Sequence, residues 1–83
     1  MSEVADRVII ILRTYPVDNP YVASYNVTQP GLSKQLGVHT KTLQKHLHRL
    51  LQKGHVDVTY RHVNGIPHKM KCYFLADWGC RHG

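Results

Sequence analysis

The sequence predicts a small α+β domain, three helices followed by a C-terminal two-stranded antiparallel hairpin. Three observations predict it. Apolar residues recur at helical spacing in three separate segments. A Gly37-Val38 step punctuates the second and third of them, and the third is the longer and the more cationic. Apolar residues then switch to period two on both sides of Asn64-Gly65, a dipeptide suited to a hairpin turn. A chain of 83 residues holds one small core, so 1–83 is taken as a single domain, which could also be the N-terminal part of a longer protein.

Each element follows from local chemistry. Ser2 is a suitable N-cap for a first helix running to about Tyr15. Val4, Val8, Ile11, Leu12 and Tyr15 share one face of it, while Ile10 points the opposite way and marks a candidate contact with another protomer or domain. Pro16 and Pro20 end the helix. Val17–Ser24 reads as a loop and Tyr25–Val27 as a short strand. Thr28 caps the second helix, Pro30 is tolerated in its first turn, and Leu32 and Leu36 bury its inner face. Gly37 ends it, because glycine enters a left-handed cap at little cost. His39 or Thr40 starts the third helix. Leu43, Leu47, Leu50 and Leu51 form its apolar stripe, and Lys41, Lys45, His48, Arg49 and Gln52 project from the far side. Gly54 closes it. In the hairpin, Val56, Val58 and Tyr60 alternate with Asp57, Thr59 and Arg61, and Met70, Cys72 and Phe74 alternate with Lys71 and Tyr73. Pro67 disturbs the returning strand, so the tip is expected to cover His62–Lys69. The order helix, short strand, helix, helix, hairpin is that of a winged helix-turn-helix, with the hairpin as the wing.

The formal net charge is +6, and its distribution says more than the total. Between Asn19 and Ala76 the only acid is Asp57, against Lys34, Lys41, Lys45, Arg49, Lys53, Arg61, Lys69 and Lys71. A surface of one sign attracts a polyanion. Enzymatic chemistry is not expected: there is no paired-carboxylate motif, nucleophile triad or glycine-rich phosphate loop, and the five acids are scattered. No cofactor is expected. Cys72, Cys80 and His82 lack standard ligand spacing, and His46 and His48 do not share a helix side, so no metal site is expected either. Cys72 reads as a reduced core residue. No signal peptide is recognised and Ile9–Leu12 is too short to span a bilayer, so the chain is expected in the cytoplasm or, in a eukaryote, the nucleus.

A helix-turn-helix reads a DNA major groove through donors and acceptors near the start of its second helix. Thr40, Lys41, Thr42, Gln44, Lys45, His48 and Arg49 supply such a face. Gln44 suits an adenine edge, Lys45 a guanine, and a threonine methyl a thymine methyl. Thr28, Lys34 and His39, near helix starts, are expected at phosphates. Arg61, Lys69 and Lys71 are expected to reach phosphates or the minor groove from the hairpin. His46 is expected to be packed; His48, His62 and His68 are expected exposed, adding positive charge on mild acidification. RNA remains an alternative partner, but the sequence lacks an aromatic stacking platform.

The run T-Q-x-x-L-S-x-x-L-G-V from Thr28 to Val38, then T-L-x-x-x-L-x-x-L from Thr42 to Leu50 and K-G-H-V from Lys53 to Val56, resembles the winged helix-turn-helix transcription regulators of the MarR/ArsR type. The segment His62–Leu75 is similar to wings in N-terminal domains of larger prokaryotic, especially archaeal, regulators. Lys69, Lys71, Tyr73, Phe74, Leu75 and Gly79 carry that likeness. His68 and Met70 stand where such wings often have arginine, Ala76 stands where a threonine usually caps the next helix, and Trp78 falls in that helix's first turn. The resemblance implies sequence-specific binding of double-stranded DNA for transcription regulation. The dimerising C-terminal helix of many such regulators is absent or too short here, so the resemblance implies either a piece of a longer protein with a fused sensor domain or a homodimer that associates by another surface such as helix one. The alternative is a protein-interaction module of a larger assembly, using Ile10 and Trp78.

Overall fold

A computed structural model describes residues 3–76, and it contains three helices followed by a two-stranded antiparallel hairpin. The helices are α1, Glu3–Thr14, α2, Gln29–Leu36, and α3, Thr40–Gln52; the strands are β1, Val56–His62, and β2, Lys69–Leu75. This is the α+β arrangement that the sequence predicts. The expected cap Ser2 and the residues Gly79, Trp78, Cys80 and His82 lie outside the described residues.

The centre of the molecule is a leucine-rich core. Val8, Leu12, Val27, Leu32, Leu43, Leu47 and Cys72 are its most deeply buried apolar members. α1 buries Ala5, Val8 and Leu12, a stripe at helical spacing, with Val4, Ile9 and Ile11 packed along its flanks. Tyr15, expected on that stripe, lies past the last helical residue and is exposed. Ile10 is exposed, as its helical angle requires. Leu12, Pro16, Phe74 and Leu75 line a small apolar cleft where α1 meets the end of β2.

Residues 25–27 form a 3₁₀ turn, where the sequence suggested a strand. The local alternative wins here: the Ser24 hydroxyl accepts from the Asn26 amide at 3.1 Å, and the Val27 and Thr28 amides bond three residues back to Ser24 and Tyr25. Strand character survives only at Thr28, in a single antiparallel bridge to Cys72. The segment before it is also tied down. The His62 amide donates to the Tyr21 carbonyl and the Ala23 amide to the His62 carbonyl, which makes a parallel bridge between Val22 and His62.

The hairpin register runs from Val56 opposite Leu75 to His62 opposite Lys69. The tip is therefore 63–68. The Ile66 amide bonds the Val63 carbonyl at 3.0 Å, and Gly65 takes φ +86° at the third turn position, where glycine is needed. Val63, within that tip, is buried. Period two also predicts Tyr73 outside and Tyr60 inside, and both are reversed. α1 and α2 pack against β2 and α3 against β1, so the hairpin base is enclosed and Tyr73 is buried along with Cys72. Tyr60 lies two rungs nearer the tip than Val56 on its strand face and is 59% exposed. No described helix is long and apolar enough to cross a membrane.

Candidate nucleic-acid interface

The surface of interest is built by α2, the turn and α3. Thr28 starts α2: its hydroxyl accepts from the Gly31 amide at 3.2 Å and donates to the Tyr25 carbonyl at 2.6 Å. Gly31 sits directly on that carbonyl. A Cβ at Gly31 would lie 1.9 Å from the Tyr25 oxygen, so only glycine lets the 3₁₀ turn and α2 approach this closely. Gly37 takes the left-handed φ of +67° and its amide bonds the Ser33 carbonyl at 2.9 Å. The Ser33 hydroxyl donates across the turn to the Val38 carbonyl. His39 then caps α3 through Nδ1, which accepts from the Lys41 amide at 3.2 Å. In the neutral ring this leaves the hydrogen on Nε2. At the far end the amides of Gly54 and His55 bond the carbonyls of Leu51 and Leu50, the crossed pair of a Schellman cap.

Leu43, Leu47 and Leu50 bury one side of α3. Two ridges run along the other. Lys41, Lys45 and Arg49 are spaced four apart, and Gln44, His48 and Gln52 are spaced four apart beside them. At 3.6 residues per turn the two ridges cover about 140° of the helix. All six side chains are exposed, and Lys41, Gln44, Lys45 and His48 line a shallow open groove. Like charges four apart on a helix cost about 0.2–0.5 kcal/mol per pair. No acid lies anywhere on α3 to relieve that repulsion. A bound polyanion would.

The structure sorts the predicted residues clearly. Thr40, Lys41, Thr42, Gln44, Lys45, His48 and Arg49 share the open side and start of α3, and Lys34 and His39 are exposed at the end of α2 and the start of α3. Lys69 and Lys71 are exposed on β2. Two expected phosphate contacts stand apart. Thr28 is wholly buried and its hydroxyl is committed to Tyr25 and Gly31, so it has nothing to offer a phosphate. Arg61 is half-buried: Nε donates to the Asn19 carbonyl at 3.1 Å, and Nη1 to Thr59 Oγ1 at 2.7 Å and the Tyr60 carbonyl at 2.8 Å. Its guanidinium clamps the loop before α2 onto the hairpin. Asn19 completes the clamp, its Oδ1 accepting from the amides of Tyr21 and Val22.

His46 is half-buried and His48, His62 and His68 are exposed, as expected. Among the described residues no three His, Cys, Asp or Glu side chains could hold a metal. Burial pushes the Cys72 thiol above its ordinary pKa, partly offset by hydrogen bonding from the Arg61 backbone and by the Arg61 charge. Cys72 is a free, buried thiol. Tyr60 was missed as a surface residue. The signal that could have found it is position, since it stands near the tip, beyond the enclosed base of the hairpin. Compared with protein-family models, curated proteins and solved structures, the chain matches none.

Proposed function

We propose that this chain is a winged helix-turn-helix domain that binds double-stranded DNA sequence-specifically for transcription regulation. α3 enters the major groove and the hairpin serves as the wing against backbone or minor groove. The likeness to MarR/ArsR-type regulators belongs to the same proposal, as do a cytoplasmic location and a binding rather than catalytic role. One observation carries it: the acid-free face of α3 bearing Lys41, Gln44, Lys45, His48 and Arg49, held outward by the leucine seam on its back. Such a face matches both demands of a duplex, cations for phosphates and bidentate donors for base edges.

Selection of bound sites from random duplex DNA tests it, followed by titration of the selected site. Lys45→Ala is expected to weaken specific binding about tenfold, within the range of one base contact. Arg13→Ala, an exposed cation on α1, should leave it nearly unchanged. If about five phosphates are neutralised per domain, the log–log salt slope lies near −4 to −5. Equal losses for Lys45→Ala and Arg13→Ala would sink the assignment of α3. A second reading, a protein-interaction module, draws on Ile10, which is exposed on α1 beside Arg7 and Gln35. Failure to bind any duplex in dilute buffer would favour it.

A further inference from the structure

We propose that the tip half of the hairpin binds single-stranded nucleic acid, with an unpaired base stacked on Tyr60 and neighbouring phosphates on Lys69 and Lys71. Antiparallel register puts four rungs on one face: Val56–Leu75, Val58–Tyr73, Tyr60–Lys71 and His62–Lys69. The first two lie at the base and are buried or half-buried. In the last two, all four side chains are exposed. The face therefore passes from core to surface at Tyr60, which keeps 59% of its surface open.

The chemistry of this strip is specific. It holds one aromatic ring, two lysines and one histidine. Asp57 lies on the opposite face, paired with Phe74. Lys71 sits directly across from Tyr60, at the roughly 5 Å Cβ spacing of cross-strand partners. Lys69 follows two residues along β2, about 6.6 Å away. An exposed ring flanked by cations on a pleated surface is the arrangement that tracks a single strand, with the ring taking a base face and the cations its backbone. A duplex makes little use of the ring, because its base faces are covered by their own stack. The unpaired strand is therefore the occupant that uses all of these groups. The strip lies on a different element from the α3 face but on the hairpin that the duplex proposal uses as its wing, so the two bindings are told apart by variants, Tyr60 for the single strand and Lys45 for the duplex.

The test is fluorescence anisotropy with labelled oligothymidylate, oligouridylate and a duplex of the same length. Tyr60→Ala and Tyr60→Leu are expected to weaken both single strands about tenfold, the effect of losing one stacked base, and Tyr60→Phe to retain affinity. The duplex should change less than twofold. Because Tyr60 is exposed, these variants should melt like the parent, and thermal melting checks it. Tighter binding of either oligonucleotide identifies DNA or RNA as the strand and supports the proposal in both cases. Single strands that do not bind, or that ignore Tyr60→Ala, overturn it, as does an equal loss on the duplex, which would put the ring against paired DNA. Lys45→Ala separates the two functions, since it should weaken the duplex and spare the single strands.

Discussion

The α2–turn–α3 half and the loop–hairpin half of this molecule are stabilised by different kinds of bond. In the first, the fixing contacts are local. Thr28 reaches Gly31, Ser33 reaches Val38, and His39 reaches Lys41, none more than five residues apart. In the second, Arg61 reaches Asn19 across 42 residues, and Val22 bridges His62. The contrast teaches where specification resides. Short-range caps follow from neighbouring residue types, whereas the clamp exists only once the chain has closed on itself. It also explains why the half with local bonds presents the regular, cation-lined face. Closely spaced caps hold α2, the turn and α3 together, and the outward side chains Lys41, Gln44, Lys45, His48 and Arg49 on α3 form none of these caps.

The largest expected effect breaks the local half. Gly31→Ala puts a Cβ into the Tyr25 carbonyl, which belongs to backbone and cannot swing away as a side chain could. The 3₁₀ turn and α2 must separate, and the Thr28 cap with them. We expect a loss of about 3 kcal/mol, at the upper end of overpacking costs. Denaturant unfolding checks it, against Gly54→Ala. Gly54 has open space but a left-handed φ of +76°, so its substitution is strained by conformation alone and should cost about 1 kcal/mol. If the two cost the same, close packing at Gly31 is not what holds the 3₁₀ turn against α2.

Most of the first half was legible for the reason just given. Thr28, Pro30, Gly37 and Gly54 announce caps, and Leu32, Leu36, Leu43, Leu47 and Leu50 announce faces, each by chemistry confined to a few neighbours. The same logic failed where a distant partner intervened. Thr28 was visible as a cap, but not that its side chain is buried and bridged to Cys72. Tyr25–Val27 reads as strand by residue type, yet Ser24 offered a nearer partner. Arg61 looks like any hairpin cation until Asn19 closes on it. Tyr60 and Tyr73 alternate correctly in sequence, but helices enclose one end of the hairpin and leave the other open. The α3 face needed no distant contact, and its residues were therefore named from the sequence.

A smaller effect sharpens the comparison from the other side. Arg61→Ala removes donors to Asn19, Thr59 and the Tyr60 carbonyl, in a half-exposed setting where the net cost should be about 1 kcal/mol. The loss should be local. Hydrogen exchange at the amides of Ala23 and His62, which bond across the loop–hairpin junction, should speed up. Exchange at Gly37 and Leu43, inside the locally capped half, should stay as in the parent. Uniform acceleration at all four amides would show that the two halves open as one unit and remove the distinction.

The smallest expected effect lies at the seam between them. Cys72 pairs with Thr28 of one half and Thr59 of the other, and Tyr73 follows it into the core. Burial raises the thiol above 9.0, and burial with the Tyr60 phenol nearby raises the Tyr73 phenol above 10.0. Both groups therefore hold their protons in the folded state at pH values where the unfolded chain has released them. Where the folded state binds more protons, stability falls as pH rises. Nothing is lost below about pH 8, where both states are protonated. The decline starts near pH 9 with the thiol, deepens near pH 10 with the phenol, and ends once the folded groups also ionise. Guanidinium midpoints for the parent should drop across that window more steeply than those of the Cys72→Ala/Tyr73→Phe double variant. The double variant starts from a lower midpoint because it loses core packing, so the slope and not the level is the measure. Parallel slopes would mean that neither group is dehydrated by the joining of the halves, and that the seam is open to water.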